Sequence, residues 1–374
     1  MADAAPRSRE ELAAYLALAQ VPGIGAARLR MLVTAFESAS AALQAPHGAI
    51  AALPGLSRAA ATAIRGVTLR SGHDILDTLE RLGATALLAG DPGFPAMLEE
   101  IPDPPPFLYA WGDLTLLARP AAGIVGSRNH SAYGAAAARL LAAGVARRAV
   151  VASGMARGLD AVAHTAALDA GGGTIGVLGN GFGVVYPAAN RELYERMIAH
   201  ACLITELPPG ERPHAGAFPR RNRLISGLGG VTVVVEAASG SGALITADCA
   251  LDQGRTVLAV PGPITSRTSL GCNKLIQQGA KPALSPEDIL EELGLGSLES
   301  SGRTAGVNAP ARQSPPDLTG LQHALWQALQ QEARHVDALV TAVGIATADV
   351  LTALTELELR GVVRQTPGMV FGLV

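Results

Sequence analysis

Gly123-Ile-Val-Gly-Ser-Arg128 and, one helix later, Val150-Val-Ala-Ser-Gly-Met-Ala-Arg-Gly158 are the stretches that decide the fold. Each opens with a short apolar run and turns through small residues and an arginine. Each then enters a stretch of helical periodicity, Ala132–Arg147 after the first and Gly158–Ala170 after the second. The strand candidates are Gly123–Val125, Ala149–Ala152, Thr174–Leu178, Cys202–Thr205, Val231–Val235 and Val257–Val260, with a further helical pattern at Arg191–His200. Strands apolar on both faces and alternating with helices predict a parallel sheet covered by helices on both sides. The expected class is α/β, with an extended Rossmann-like, doubly wound sheet. Ligands of such sheets sit beyond the carboxyl ends of the strands.

Working outward, four regions separate: 10–82, 83–293, 294–316 and 317–374. The first reads as short Ala- and Leu-rich helices. Its Leu18-Ala-Gln-Val-Pro-Gly23-Ile-Gly25 has the form of a helix-hairpin-helix (SAM-like) turn, with a degenerate copy at Leu53-Pro-Gly55-Leu56. The backbone around Gly23 and Gly25 could offer N–H groups to a DNA phosphate, or the turn could simply pack. The third region is rich in Gly, Ser and Pro and reads as a linker. In the fourth, Leu321–Glu332, Val336–Val343 and Thr347–Arg360 read as helices. Val362–Gln365 and Met369–Leu373 follow as a hairpin around Thr366-Pro-Gly, which makes a winged-helix pattern. Its middle helices are acidic or neutral, which favours protein contact or weak DNA contact over groove reading.

A chain of 374 residues with 49% hydrophobic residues and a net charge of −3 suits a folded protein of two or three domains. No apolar run reaches the roughly 18 residues of a membrane helix. Met1 to Arg9 lacks the pattern of a secretory signal, and three scattered cysteines suit a reducing compartment, so a cytoplasmic location is expected. With so little net charge, any phosphate-binding surface must be local. Lys274 and Lys281 are the only lysines, but the preference for Arg runs along the whole chain and identifies no site.

The local concentrations are at the strand ends. Gly126, Ser127 and Arg128 form one small-residue turn, and Ser153, Gly154, Arg157 and Gly158 belong to a second. Free N–H groups at a helix start, with the helix dipole and an arginine, make an anion site. The bland alternative is that small residues let a helix approach the sheet. Phe218-Pro-Arg-Arg-Asn-Arg223 is the densest basic cluster, and Phe218, Arg220, Arg221, Asn222 and Arg223 would grip a backbone beside a stacked base. Ser241 and Gly242 close a further turn, Ser239-Gly-Ser-Gly242, before a helix containing Thr246. There is no G-x-x-x-x-G-K-[ST] loop, no metal spacing and only a loose dinucleotide pattern at Gly179-Asn-Gly-Phe-Gly183. The sequence therefore indicates no catalytic residue, metal or cofactor. His164, after Asp160, could act as a base but reads better as a packing or capping residue.

These motifs together resemble the DNA-processing protein A family (DprA/Smf). The resemblance rests on Phe94-Pro-Ala-Met-Leu98, Pro104-Pro-Pro-Phe-Leu-Tyr109, Ile124-Val-Gly-Ser-Arg128 with Tyr133-Gly134, and Ser153-Gly-Met-Ala-Arg-Gly-Leu-Asp160 with Ala163-His164. It continues through Val185-Tyr-Pro187, Phe218–Arg223, Ser241-Gly-Ala-Leu-Ile-Thr246, Ala259-Val-Pro-Gly262, Gly271-Cys-Asn273 and Gly279-Ala280. It implies single-stranded DNA binding, a homodimer through the Rossmann-like domain, and loading of the RecA recombinase in natural transformation. Single-strand-binding protein is a further candidate partner. Ala188 and Gly240 stand where family members often carry a basic residue. The rival reading is a nucleotide-metabolising enzyme, phosphoribohydrolase-like, with Glu206 and Glu236 as acid or base; a nucleotide-sensing module is a third.

Overall fold

The computed structural model describes residues 7–296, 318–330, 334–366 and 369–373. From residue 297 on, the expected linker lies outside the described residues. So do Pro367-Gly368 of the expected hairpin turn, while the helix expected to reach Glu332 already ends at Ala328 with Leu329 as its C-cap.

Nine strands form one sheet: β1 Ala84–Leu88, β2 Phe107–Gly112, β3 Ala121–Val125, β4 Val150–Ser153, β5 Thr174–Val177, β6 Cys202–Thr205, β7 Val231–Val234, β8 Thr256–Ala259 and β9 Lys281–Pro282. Their order is β1-β2-β6-β5-β4-β3-β7-β8-β9. From β6 to β9 every pair is parallel, and β1 and β2 add an antiparallel edge. All six expected strands are present. In β3, β4, β7 and β8 neighbouring residues enter two apolar cores, one on each face: Val150 and Ala152 on one side, Val151 on the other. This is why the strands read as unbroken apolar runs rather than as alternating ones.

The chain lays down β3, β4, β5 and β6 in one direction, then crosses back to place β7 beside β3 with Val125 opposite Val234. The direction reverses between the carboxyl ends of β3 and β7. That crevice is where a doubly wound sheet binds ligands.

The N-terminal helices share the first of these cores. Leu16, Leu29 and Leu32 are buried in the same cluster as Leu108 and Tyr109 of β2. The two hairpin turns are built alike: Ile24 N–H donates to Val21 O at 3.0 Å and Leu56 N–H to Leu53 O at 3.2 Å. Gly23 and Gly55 take φ of 82° and 76°, the left-handed region that only glycine enters readily.

The C-terminal unit has its own core of Leu325, Leu339, Val350, Leu354, Leu357 and Phe371. Its helices are Gly320–Ala328, Val336–Val343 and Thr347–Leu359. Its strands are ordered Arg334–His335, Val370–Leu373, Val363–Thr366. The second and third helices turn through 111°, the angle of a helix-turn-helix, and the antiparallel hairpin is the wing. Among the described residues, no single helix is long and apolar enough to cross a membrane.

Candidate nucleic-acid interface

The turn after β3 and the turn before the helix Gly242–Asp252 line one groove of about 510 Å³ at the reversal point. Arg128, Arg221 and Phe218 reach both this groove and a smaller hollow lined by Arg157, Tyr186 and Gly179. The strand ends thus bring together most of the expected residues, though not in the expected roles.

In the first turn, Ser127 N–H donates to Glu236 O at 2.8 Å, and its hydroxyl closes a local turn with Asn129 at 2.7 and 3.1 Å. Gly126 lies against the helix of the second turn: a Cβ there would come within 2.4 Å of the Leu159 side chain. Gly158 needs its identity twice over. Its φ is 84°, and a Cβ would meet Ser127 O at 2.4 Å. The two turns are packed on one another, and the close-packing role of their glycines is real. Arg128 and Arg157 remain exposed.

The second turn is not an open anion site. Asp160, buried, accepts from Gly154 N–H at 3.1 Å and Ala156 N–H at 3.4 Å, and Met155 N–H donates to His164 Nε2 at 3.4 Å. A carboxylate of the chain itself fills the place expected for phosphate. Burial pushes the Asp160 carboxyl up, against the pull of the Arg221 guanidinium and of the two amides. Ser153 is fully buried and donates to Ile124 O at 2.7 Å, so it faces the sheet and not a ligand.

The basic cluster also divides. On the helix Ala217–Leu228, Phe218, Arg221, Asn222 and Ile225 share the face that lines the strand-end groove. Arg220 and Arg223 face the other way, into a groove of about 860 Å³ that also contains Gly23, Gly25, Asp103, Glu206 and Glu211. Arg221 is buried, donating to Val177 O at 2.9 Å beside Asp160. Arg223 pairs with Glu206 at 2.5 Å and Asp103 at 3.4 Å. The Arg223 charge is thus matched within the chain, whereas Arg221 Nε has no hydrogen-bond partner and the side chain lines both cavities. Asn222 Nδ2 donates to Gly242 O at 3.4 Å, and Ser241 caps the next helix by accepting from Ala243 N–H at 3.3 Å. The hairpin groove beside Gly23 and Gly25 sets Asp103, Glu206 and Glu211 against Arg28, Arg220 and Arg223, so its lining charges balance and give no net attraction for an anion.

Glu236 is buried and accepts from Ser131 N–H at 2.9 Å, Ser131 Oγ at 2.6 Å and Thr268 Oγ1 at 3.0 Å, which ties down the start of the helix Ala132–Ala146. Burial pushes the Glu206 carboxyl up, opposed by Arg223 and Arg220. Burial also pushes the Cys202 and Cys272 thiols up to about 12, which suits core residues.

His164 is fully buried. Thr174 Oγ1 donates to Val151 O at 2.7 Å, so the 2.8 Å contact from His164 Nδ1 to Thr174 Oγ1 is a donation by the ring. Nε2 is then the acceptor for Met155, and the ring is held neutral. Burial, with the Arg221 charge as second cause, pulls its pKa down to about 3. The unfolded value is about 6.5, so the unfolded chain binds more protons between these limits and stability falls as pH falls through that window. Urea titrations should show a decline of up to about 1.4 kcal/mol per pH unit from this one group. His164→Gln should flatten that decline; an unchanged pH profile would contradict a neutral buried imidazole.

Sequence reasoning missed two residues at this site. Tyr186 is 43% exposed, with its ring centroid 5.8 Å from that of Phe218 at 38°. Its only signal was its place in Val185-Tyr-Pro187. Asp160 was visible as the last residue of Ser153-Gly-Met-Ala-Arg-Gly-Leu-Asp160 and as an acid in the first turn of a helix, with no sign that it would turn back onto the preceding amides.

Residues 85–294 match the family model of DNA recombination-mediator protein A, and residues 309–369 match that of the DprA winged helix domain. The chain belongs to the DNA recombination-mediator protein A (DprA/Smf) family. Among DprA/Smf relatives, protein Smf of Synechocystis sp. is 33% identical over 392 residues, covering 97% of this chain and 98% of that protein. The DNA processing protein DprA of Bacillus subtilis is 43% identical over 221 residues, 59% of this chain and 74% of the relative. The X-ray structure of DprA from Streptococcus pneumoniae superposes with a TM-score of 0.68 at 33% identity, over 77% of this chain and 99% of that one. DNA processing protein A from Helicobacter pylori, described for its single-stranded DNA binding mode, gives 0.51 at 27% identity, over 56% and 95%. The strand-end groove lies wholly inside the matched DprA core; Gly23 and Gly25 lie outside it.

Proposed function

We propose that this DprA-family chain binds single-stranded DNA in the strand-end groove and works by binding rather than by covalent catalysis. In this role it protects incoming DNA and loads the RecA recombinase in natural transformation and recombination. It does so as a cytoplasmic homodimer through its Rossmann-like domain, with single-strand-binding protein as a further partner. The observation that carries the reading is the grouping of exposed Arg128 and Arg157 with the exposed Tyr186 ring in the hollow that adjoins the strand-end groove, beyond the carboxyl ends of β4 and β5. Cations that hold a backbone beside a ring that stacks a base suit a flexible strand of any sequence. The Helicobacter pylori protein, similar in fold and sequence, is described by its single-stranded DNA binding mode. The enzyme reading has less support, because Glu206 and Glu236 are each engaged in internal bonds.

The winged helix is assigned to protein contact or weak DNA contact. Its third helix exposes Asp349, Thr352, Thr355 and Glu358 and carries no Arg or Lys. Groove reading depends on such cations.

Anisotropy titrations with single-stranded and duplex DNA of equal length, at several salt concentrations, test the function. Tighter binding to the single strand, with little sequence preference, is expected. Equal affinity at moderate salt, or release of free base from nucleoside monophosphates, would overturn it.

A further inference from the structure

Phe218 is the ring that the sequence offers for stacking, yet it is largely covered. The Arg128 guanidinium lies 5.8 Å from its centroid, and its edge is packed so tightly on Gly179 that a Cβ there would be 2.9 Å from it. Tyr186 leans on it from a further side and is itself 43% exposed. Tyr186 shares its hollow with Arg128 and Arg157, the two exposed cations of the site.

Resting on the single-stranded DNA reading, we propose that Tyr186 is the ring on which a nucleobase stacks, and that Phe218 is the support that holds Tyr186 and seats Arg128. A base lying on the open face of Tyr186 has its phosphate beside Arg128 and Arg157. An isolated exposed tyrosine would need no explanation. One backed by a second ring and flanked by two cations has the composition of a stacking platform. The contact is with the π-face, which every base has, so the ligand is a nucleotide of a single strand without base preference.

Leucine keeps bulk and removes the ring, so Tyr186→Leu and Phe218→Leu separate the two roles. The probe is a single strand carrying 2-aminopurine, whose fluorescence is quenched on stacking. In Tyr186→Leu, affinity should fall roughly fivefold to a hundredfold at every salt concentration, with an unchanged salt slope and loss of quenching. Phe218→Leu should retain most of the quenching, and Tyr186→Phe should match the parent protein. Thermal melting checks that each variant folds. Parent-like affinity and quenching in Tyr186→Leu, or loss of quenching in Phe218→Leu alone, would overturn the assignment. Absence of single-strand binding by the parent protein would instead defeat the broader function.

Discussion

Asp160→Ala is expected to destabilise the fold by about 3–5 kcal/mol, read as a shift of the urea midpoint at pH 7. The substitution leaves the buried Arg221 without its counter-charge and strips Gly154 N–H and Ala156 N–H of their acceptor. Each effect alone is of the kind that produces large losses. Removing the second charge as well should restore much of the stability, because two apolar side chains in place of a buried charge pair are often neutral. Asp160→Ala/Arg221→Met should therefore be more stable than Asp160→Ala alone. If Asp160→Ala stays within about 1 kcal/mol of the parent, the carboxylate does not hold the turn.

Arg128→Ala/Arg157→Ala is expected to give the largest loss of DNA binding. Both side chains are exposed, Arg128 at the groove and Arg157 in the adjoining hollow, so the fold should be unaffected. Each lost phosphate contact should lower the slope of log affinity against log salt by roughly 0.7 for a single strand, about 1.4 for the pair. Charge-assisted contacts are worth roughly 1.5–3 kcal/mol each, so affinity should fall about a hundredfold or more at low salt. Arg223→Ala makes the contrast: its charge is matched by Glu206 and Asp103, so the slope should barely move. A parent-like slope in the double variant, or a slope lost only in Arg223→Ala, would move the phosphate path to the hairpin side of the helix Ala217–Leu228.

The central strands were legible because β-branched runs such as Val231–Val234 are apolar on both faces, which only a sheet covered on both sides demands. β1 was not, because Ala-Thr-Ala-Leu-Leu is rich in helix formers and becomes a strand only by pairing with β2. The two arginine-bearing turns were equally visible, but sequence does not show which amides remain free. Ser153–Gly158 looked like an anion site; the fold brings Asp160 back onto its N–H groups. Arg221 and Arg223 looked like two grips of one patch. Helical spacing places them on different faces, which the sequence could have revealed. Their partners Asp160 and Asp103 are distant in the chain and become neighbours only through the sheet.

The most direct measurement is photo-crosslinking of the full chain to a single strand containing 5-iodouracil, with the crosslinked peptides identified by mass spectrometry. Crosslinks should fall on peptides containing Arg128, Tyr186 or Phe218, and should vanish on competition with unlabelled single strand. Crosslinks confined to the hairpin around Gly23 and Gly25, or to the winged helix, would contradict the strand-end groove as the DNA site.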